Sequence, residues 1–284
     1  MKYFYLDNNI VIDLKNDRNK DVKSIINSLD RTKNRIVFSP AHIEEIAATV
    51  KHYDQTLDTA YEKLEFLKKL TDSYCFLPFP RGNLRLVKSY GVNIYQEDPI
   101  DTFTRVFNSY DQNWIPEGHQ KQKLTLAENL EKDGGISSSE MNNADMNGIL
   151  DEFKKELFKI VTVNYKILKK NSIMKQFLPR KPITIGMLRY VSLMPYFPMF
   201  EMTMEKLMEY LEFNRYFPDK SDKNVASLHD TTHAIYGAYA DVFVTNDRRF
   251  ANKVKAVYKW LGVDTKVMTR AEFIDEYNSA EIIA

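Results

Sequence analysis

At 284 residues, with 40 Lys and Arg against 39 Asp and Glu, the chain can bury a large core as one domain or two and is close to neutral. That balance excludes a molecule that is basic throughout, so any surface for a polyanion must be local. A single cysteine, Cys75, excludes an intrachain disulfide and a cysteine-rich zinc site, and only nine glycines argue for helix-rich structure.

In chain order, Tyr3-Phe4-Tyr5-Leu6 is short and aromatic and reads as a buried strand. Asn8 is placed to cap a short helix through Leu14, and a second helix is predicted over Val22–Leu29. Arg35-Ile36-Val37-Phe38 reads as the next strand. Ser39-Pro40 then opens a helix, Ser as cap and Pro at the first position, with Ile43, Ile46, Ala47 and Val50 on one face. A longer helix is predicted over Leu57–Leu70. The far end repeats this logic. Asn224 or Asp222 caps a helix reaching Tyr239, Val242–Thr245 is a strand, and a short helix runs near Phe250–Leu261. Thr265–Met268 is the last strand, and Thr269 caps Arg270–Tyr277. Alternating strands and helices predict a three-layer α/β/α fold with a central parallel sheet.

The middle differs. Tyr74–Leu77 reads as a strand, but from there to Phe217 no convincing buried strand follows. Residues 108–148 are polar and carry Gly134-Gly135-Ile136-Ser137-Ser138-Ser139, which predicts a flexible loop. Asp151–Lys170 is an amphipathic helix with Phe153, Leu157, Val161 and Leu168 in register. Residues 78–217 are therefore expected to form a mainly helical insertion that divides an α/β domain of 1–77 and 218–284. With neither a charged-then-apolar leader nor a membrane-length apolar run, the chain reads as soluble and cytoplasmic, with no membrane partner.

Four acids stand where the predicted elements end or begin: Asp7, Glu45, Asp230 and Asp247. In open parallel sheets, ligands bind in the crevice outside the carboxyl ends of the strands. Carboxylates converging there repel unless a cation neutralises them, which points to a hard divalent metal. Each has a plainer alternative: Asp7 as a helix cap, Asp247 as a turn residue, Asp230 as a solvated helix residue. Glu44 competes with Glu45 for the same role. Asp13 and Asp241 are expected to be structural. His229 and His233 have a spacing that suits zinc, but lacking a third nitrogen or sulfur ligand they are expected on a polar helix face. Residues 151–190 hold eight lysines and two arginines against three acids, interleaved with Tyr165, Phe177 and Tyr190. Lys154, Lys155, Lys169, Lys170, Arg180 and Lys181 are thus candidates for phosphate contacts, with a solvated helix face as the alternative.

Three stretches together resemble the PIN-domain nucleases: Tyr5-Leu6-Asp7-Asn8-Asn9-Ile10, Phe38-Ser39-Pro40-Ala41-His42-Ile43-Glu44-Glu45, and the run from His229-Asp230 through Thr245-Asn246-Asp247 to Phe250. The resemblance covers about residues 1–75 and 220–284. It implies phosphodiester hydrolysis helped by Mg2+ or Mn2+, with Asp7, Glu45, Asp230 and Asp247 holding the metal. Asn9, Thr245 and Asn246 are suited to orienting those carboxylates, while Ala234, Gly237 and Ala238 let the Asp230 helix approach the sheet. It further implies a nucleic-acid substrate, RNA ahead of DNA, and leaves room for an antitoxin or other protein partner and for a homodimer. Two alternatives stand beside it. One is a non-catalytic PIN-like scaffold that binds nucleic acid or protein through the insertion. The other is a helical HD-type phosphohydrolase suggested by His229-Asp230, for which the remaining histidines are poorly placed.

Overall fold

The structure, a computed structural model, describes residues 1–52, 55–78, 91–109, 138–218 and 224–280. The first half runs β1 (Lys2–Leu6), α1 (Asn8–Lys15), α2 (Lys20–Ser28), β2 (Asn34–Val37), α3 (Pro40–His52), α4 (Leu57–Thr71), β3 (Tyr74–Leu77), β4 (Asn93–Gln96) and α5 (Pro99–Ser109). Helices α6 (Ser138–Asn142), α7 (Met146–Lys170), α8 (Tyr190–Leu193), α9 (Phe197–Phe213) and α10 (Asn224–Gly237) follow, then β5 (Val242–Thr245), α11 (Arg248–Leu261), β6 (Lys266–Thr269) and α12 (Arg270–Ala280).

Four strands form a parallel sheet in the order β2-β1-β5-β6. Tyr5 lies opposite Val37 on one side and Phe243 on the other. From β1 the connections proceed outward to β2 on one side and return to β5 and β6 on the other. The topology therefore switches between β1 and β5, the place where open α/β sheets make their binding crevice. A parallel sheet also rules against the all-helical HD alternative.

Side chains alternate across β1, and the two faces carry separate cores. Phe4 and Leu6 join Ile10, Ile25, Ile36, Leu64, Val244 and Phe273 on one side. Tyr5 joins Val37, Phe76, Phe243, Leu157, Phe200 and Val257 on the other. That second cluster contains residues of α7 and α9, so the helices of the central stretch share one continuous core with that face of the sheet. Polar ties reinforce the contact. Lys253 on α11, only 4% exposed, pairs with Glu212 on α9 at 2.9 Å, and Trp260 Nε1 donates to Asp151 Oδ1 on α7 at 2.9 Å.

Most element predictions hold within three residues, and several details differ. Asp7, not Asn8, occupies the cap position of α1. Helix α7 starts at Met146 rather than Asp151, because Asp145 caps it by accepting from Asn147 N at 3.2 Å. Ser138 and Ser139, expected in a loop, begin α6, whereas Gly134 to Ser137 and Asp222 lie outside the described residues. Strand β4 went unrecognised. It pairs antiparallel with β3, and Phe38 bridges Cys75, so this pair extends the sheet past the end of β2. Its residues Asn93-Ile94-Tyr95-Gln96 have no fully buried side chain to mark a strand.

Candidate metal centre

Asp7 follows the last residue of β1 and is 1% exposed. Burying a carboxylate is costly unless hydrogen bonds or charges compensate, so its surroundings matter. Thr245, the last residue of the neighbouring β5, donates its hydroxyl to Asp7 Oδ2 at 2.7 Å. The same Thr245 Oγ accepts from the Asp247 backbone N at 3.1 Å, which fixes the chain just beyond β5.

Glu45 projects from α3 toward Asp7, and Asn8 donates to Glu45 Oε2. Facing both is His233 of α10, fully buried. Its Nε2 lies 3.2 Å from Glu45 Oε1 and 4.0 Å from Asp7 Oδ1. Asp7, Glu45 and His233 each offer one ligand atom, and the three atoms lie within 4.8 Å of one another. The Nε2 atom of His233 nevertheless has no hydrogen-bond partner among the described residues, since the approach to Glu45 is close but not aligned.

The electrostatics follow from burial against mutual charge. Desolvation raises the Asp7 carboxyl, opposed mainly by His233. Desolvation pushes Glu45 the same way, but His233, His229 and the Asn8 hydrogen bond outweigh it and bring Glu45 down to about 2. For His233, burial disfavours the charged ring, yet Glu45, Asp7 and Asp230 prevail and raise it. The carboxyl groups around His233 thus favour positive charge at this point, whether a proton or a metal ion supplies it.

The structure brings Asp7 and Glu45 together and leaves Asp230 and Asp247 outside that close group. Asp230 is half-buried on α10, one turn before His233, near enough for its charge to act on the ring. Asp247 caps α11, its Oδ1 accepting from Arg249 N at 2.8 Å and Phe250 N at 3.1 Å, a use close to the turn role open to this residue type. Glu44, the competitor of Glu45, contributes no ligand atom to that close group. Burial raises it to about 7 against the opposing pull of His233, and its charge acts on Glu201 of α9 as well.

The residues that orient the carboxylates are partly those expected. Thr245 does so, but Asn8 rather than Asn9 reaches Glu45, because Asn9 and Asn246 are exposed. Asp13 and Asp241 are structural: Asp13 pairs with Arg270 at 3.3 Å, and Asp241 Oδ2 accepts from Tyr3 N at 2.6 Å. The larger correction concerns His233, which was expected on a polar helix face. It sits in the interior because it lies on the side of α10 that carries Ala234 and Gly237 against β5. Its spacing of three from Asp230 was the available signal.

Of the candidate phosphate-binding residues, Lys155, Lys169, Lys170, Arg180 and Lys181 are exposed and Lys154 is half-buried. Lys169 also has a local role, donating to Tyr165 Oη at 2.8 Å. With Lys170 it ends α7, where the helix dipole favours positive charge. Among the described residues no helix is long and apolar enough to cross a membrane. Comparison of the chain with protein-family models, with curated proteins and with solved structures finds no match.

Proposed function

We propose that the chain is a divalent-metal-dependent nuclease of PIN-like fold that hydrolyses phosphodiester bonds, RNA ahead of DNA. The observation that carries this reading is the buried Asp7–Glu45–His233 group at the β1/β5 switch point. The donor set fits a cation: two carboxylates and an imidazole converge, and a buried nitrogen among them lacks a hydrogen-bond partner. Asp7 and Glu45 would hold the metal, Mg2+ or Mn2+, with Asp230 and Asp247 at the margin of the same crevice. A divalent ion bound there would supply an acidified water and neutralise charge on the phosphate.

The protein's own part is positioning. Thr245 and Asn8 each fix one carboxylate oxygen and turn the other toward the group. Packing against Tyr5 and Phe243 keeps water from the inner side of the site. The preference for RNA rests on the resemblance of the Asp7, Glu45 and Asp230–Asp247 stretches to PIN nucleases, and the exposed lysines of the central helices offer a path for the phosphate backbone.

The test is cleavage of defined RNA and DNA pools by the purified chain, with and without Mn2+ or Mg2+, beside Asp7→Asn. The amide introduced by that change can still accept from Thr245 but lacks the charge. We expect metal-dependent cleavage in the parent and a loss of about 100-fold or more in Asp7→Asn, with no fall in the thermal midpoint of the metal-free protein. Parent-like activity in that variant would place the chemistry elsewhere. Metal binding without cleavage of either pool would favour the scaffold alternative.

A further inference from the structure

We propose that His233 is itself a metal ligand, held for that role by Tyr5, and that it biases the centre toward a first-row transition ion over Mg2+. This rests on the metal-centre reading above and extends it to a residue and an ion class.

Each member of the group has one polar atom tethered and one turned inward. Thr245 holds Asp7 Oδ2, Asn8 holds Glu45 Oε2, and Tyr5 Oη lies 2.8 Å from His233 Nδ1. The inward atoms are Asp7 Oδ1, Glu45 Oε1 and His233 Nε2. A nitrogen ligand needs its outer ring N–H donated to a fixed acceptor, which sets the tautomer.

The hydrogen-bond directions around Tyr5 permit this arrangement. The Leu6 carbonyl can only accept, so at 2.8 Å it takes the Nε2 proton of His42. That leaves His42 Nδ1 an acceptor, and Ser39 N donates to it at 3.2 Å. Tyr5 Oη can therefore send its own proton to Ser39 Oγ at 2.6 Å, or toward His42 Nδ1 at 3.5 Å, and keep a lone pair for His233 Nδ1–H. The Nε2 lone pair of His233 then faces the two carboxylates. A lone pair against two anions is repulsive unless a cation lies between them. A proton on Nε2 is one solution, but Nε2 is not aligned with Glu45 for a hydrogen bond.

An imidazole suits first-row transition ions, whereas Mg2+ prefers oxygen donors and retains its waters. An all-carboxylate centre would offer a bound ion no nitrogen donor, so direct imidazole coordination is the observation that tells the two apart.

The test is binding by the full chain, with Mn2+ and Mg2+ as probes, read by calorimetry and by electron-spin-echo spectroscopy of bound Mn2+. We expect Mn2+ to bind at least about 10-fold more tightly than Mg2+ and to show nitrogen coupling from a directly bound imidazole. In His233→Gln the coupling should vanish and Mn2+ affinity fall about 10- to 100-fold, with Mg2+ affinity little changed. Tyr5→Phe should keep the coupling and weaken Mn2+ by about 10-fold. Bound Mn2+ without nitrogen coupling overturns the proposal and leaves the metal-nuclease reading intact. Failure of both ions to bind removes the metal centre altogether. The parent spectrum decides even if a variant does not fold.

Discussion

Glu201 illustrates how a single residue on the central helices is coupled to α3 by charge. It is half-buried on α9, with Glu205 on its own helix and Glu44 of α3 nearby. Burial, and then those two acids, raise its carboxyl to about 8 from an ordinary value near 4.5. The folded protein thus keeps a proton that the unfolded chain releases above pH 4.5, so this group lowers stability progressively from about pH 4.5 to pH 8. Glu201→Gln should therefore match the parent at low pH and exceed it at pH 8 by on the order of 2 kcal/mol, a few degrees in thermal midpoint. A difference that stays constant from pH 4 to pH 8 would mean the carboxyl titrates normally. Glu45 obeys the same physics with the opposite outcome, because His233 outweighs the cost of burial there, whereas at Asp7 His233 opposes burial without overcoming it.

Among the elements, α10 carries the most consequence, since it delivers both Asp230 and His233. Its approach to the sheet depends on Gly237. A Cβ built there would lie 2.9 Å from Phe243 Cδ1 and 3.2 Å from Tyr258 Oη, closer to Phe243 than packed atoms come. Phe243 is fully buried on β5, and Tyr258 donates to the Ala234 carbonyl on the same helix, so neither neighbour yields readily. Gly237→Ala should push α10 outward and cost about 1–3 kcal/mol by overpacking. Because His233 moves with the helix, divalent-ion affinity should fall as well. Calorimetric melting and ion titration of this variant check both effects, and an unchanged melting point would show that the helix has room to shift. Element ends were legible where their chemistry is local. Thr269 and Glu272 form a reciprocal cap at the start of α12, Thr269 N donating to Glu272 Oε2 at 2.7 Å and Glu272 N to Thr269 Oγ at 3.3 Å. Strand β4 was not legible, because its pairing with β3 is set by a partner rather than by its own pattern.

For the molecule as a whole, near neutrality conceals local asymmetry. The exposed side of the central helices presents Lys155, Lys169, Lys170, Arg180 and Lys181, and also two apolar residues of α7, Val163 at 56% and Ile167 at 58% exposed. If the lysines track a phosphate backbone, Lys154/Lys155→Ala and Lys169/Lys170→Ala should each weaken nucleic-acid binding whatever the base sequence. Each pair should also reduce the salt slope by about one to two. Affinity measured across salt concentrations, beside ion binding, checks this. An unchanged slope with intact ion binding would instead make this surface, with Val163 and Ile167, a site for a protein partner.

The sequence by itself determined the alternation of strand and helix at both ends, Asp7 at the end of a strand and Glu45 on the helix after the next one, and the mainly helical character of the central stretch. Those features depend on short-range pattern, caps and strand-end polarity, which a linear reading contains. Only the tertiary structure decided which residues meet. Tyr5 and His233 are 228 positions apart, Thr245 and Asp7 are 238 apart, and their contacts follow from β1 pairing beside β5. His233 looked like one more polar helix residue until packing turned its face inward. Asp247, a residue equally able to bind metal or cap a helix, closes α11, because backbone N–H groups lie in reach of its side chain. Burial converts a polar side chain into a functional group, and burial is a property of the assembled sheet and helices rather than of any segment alone.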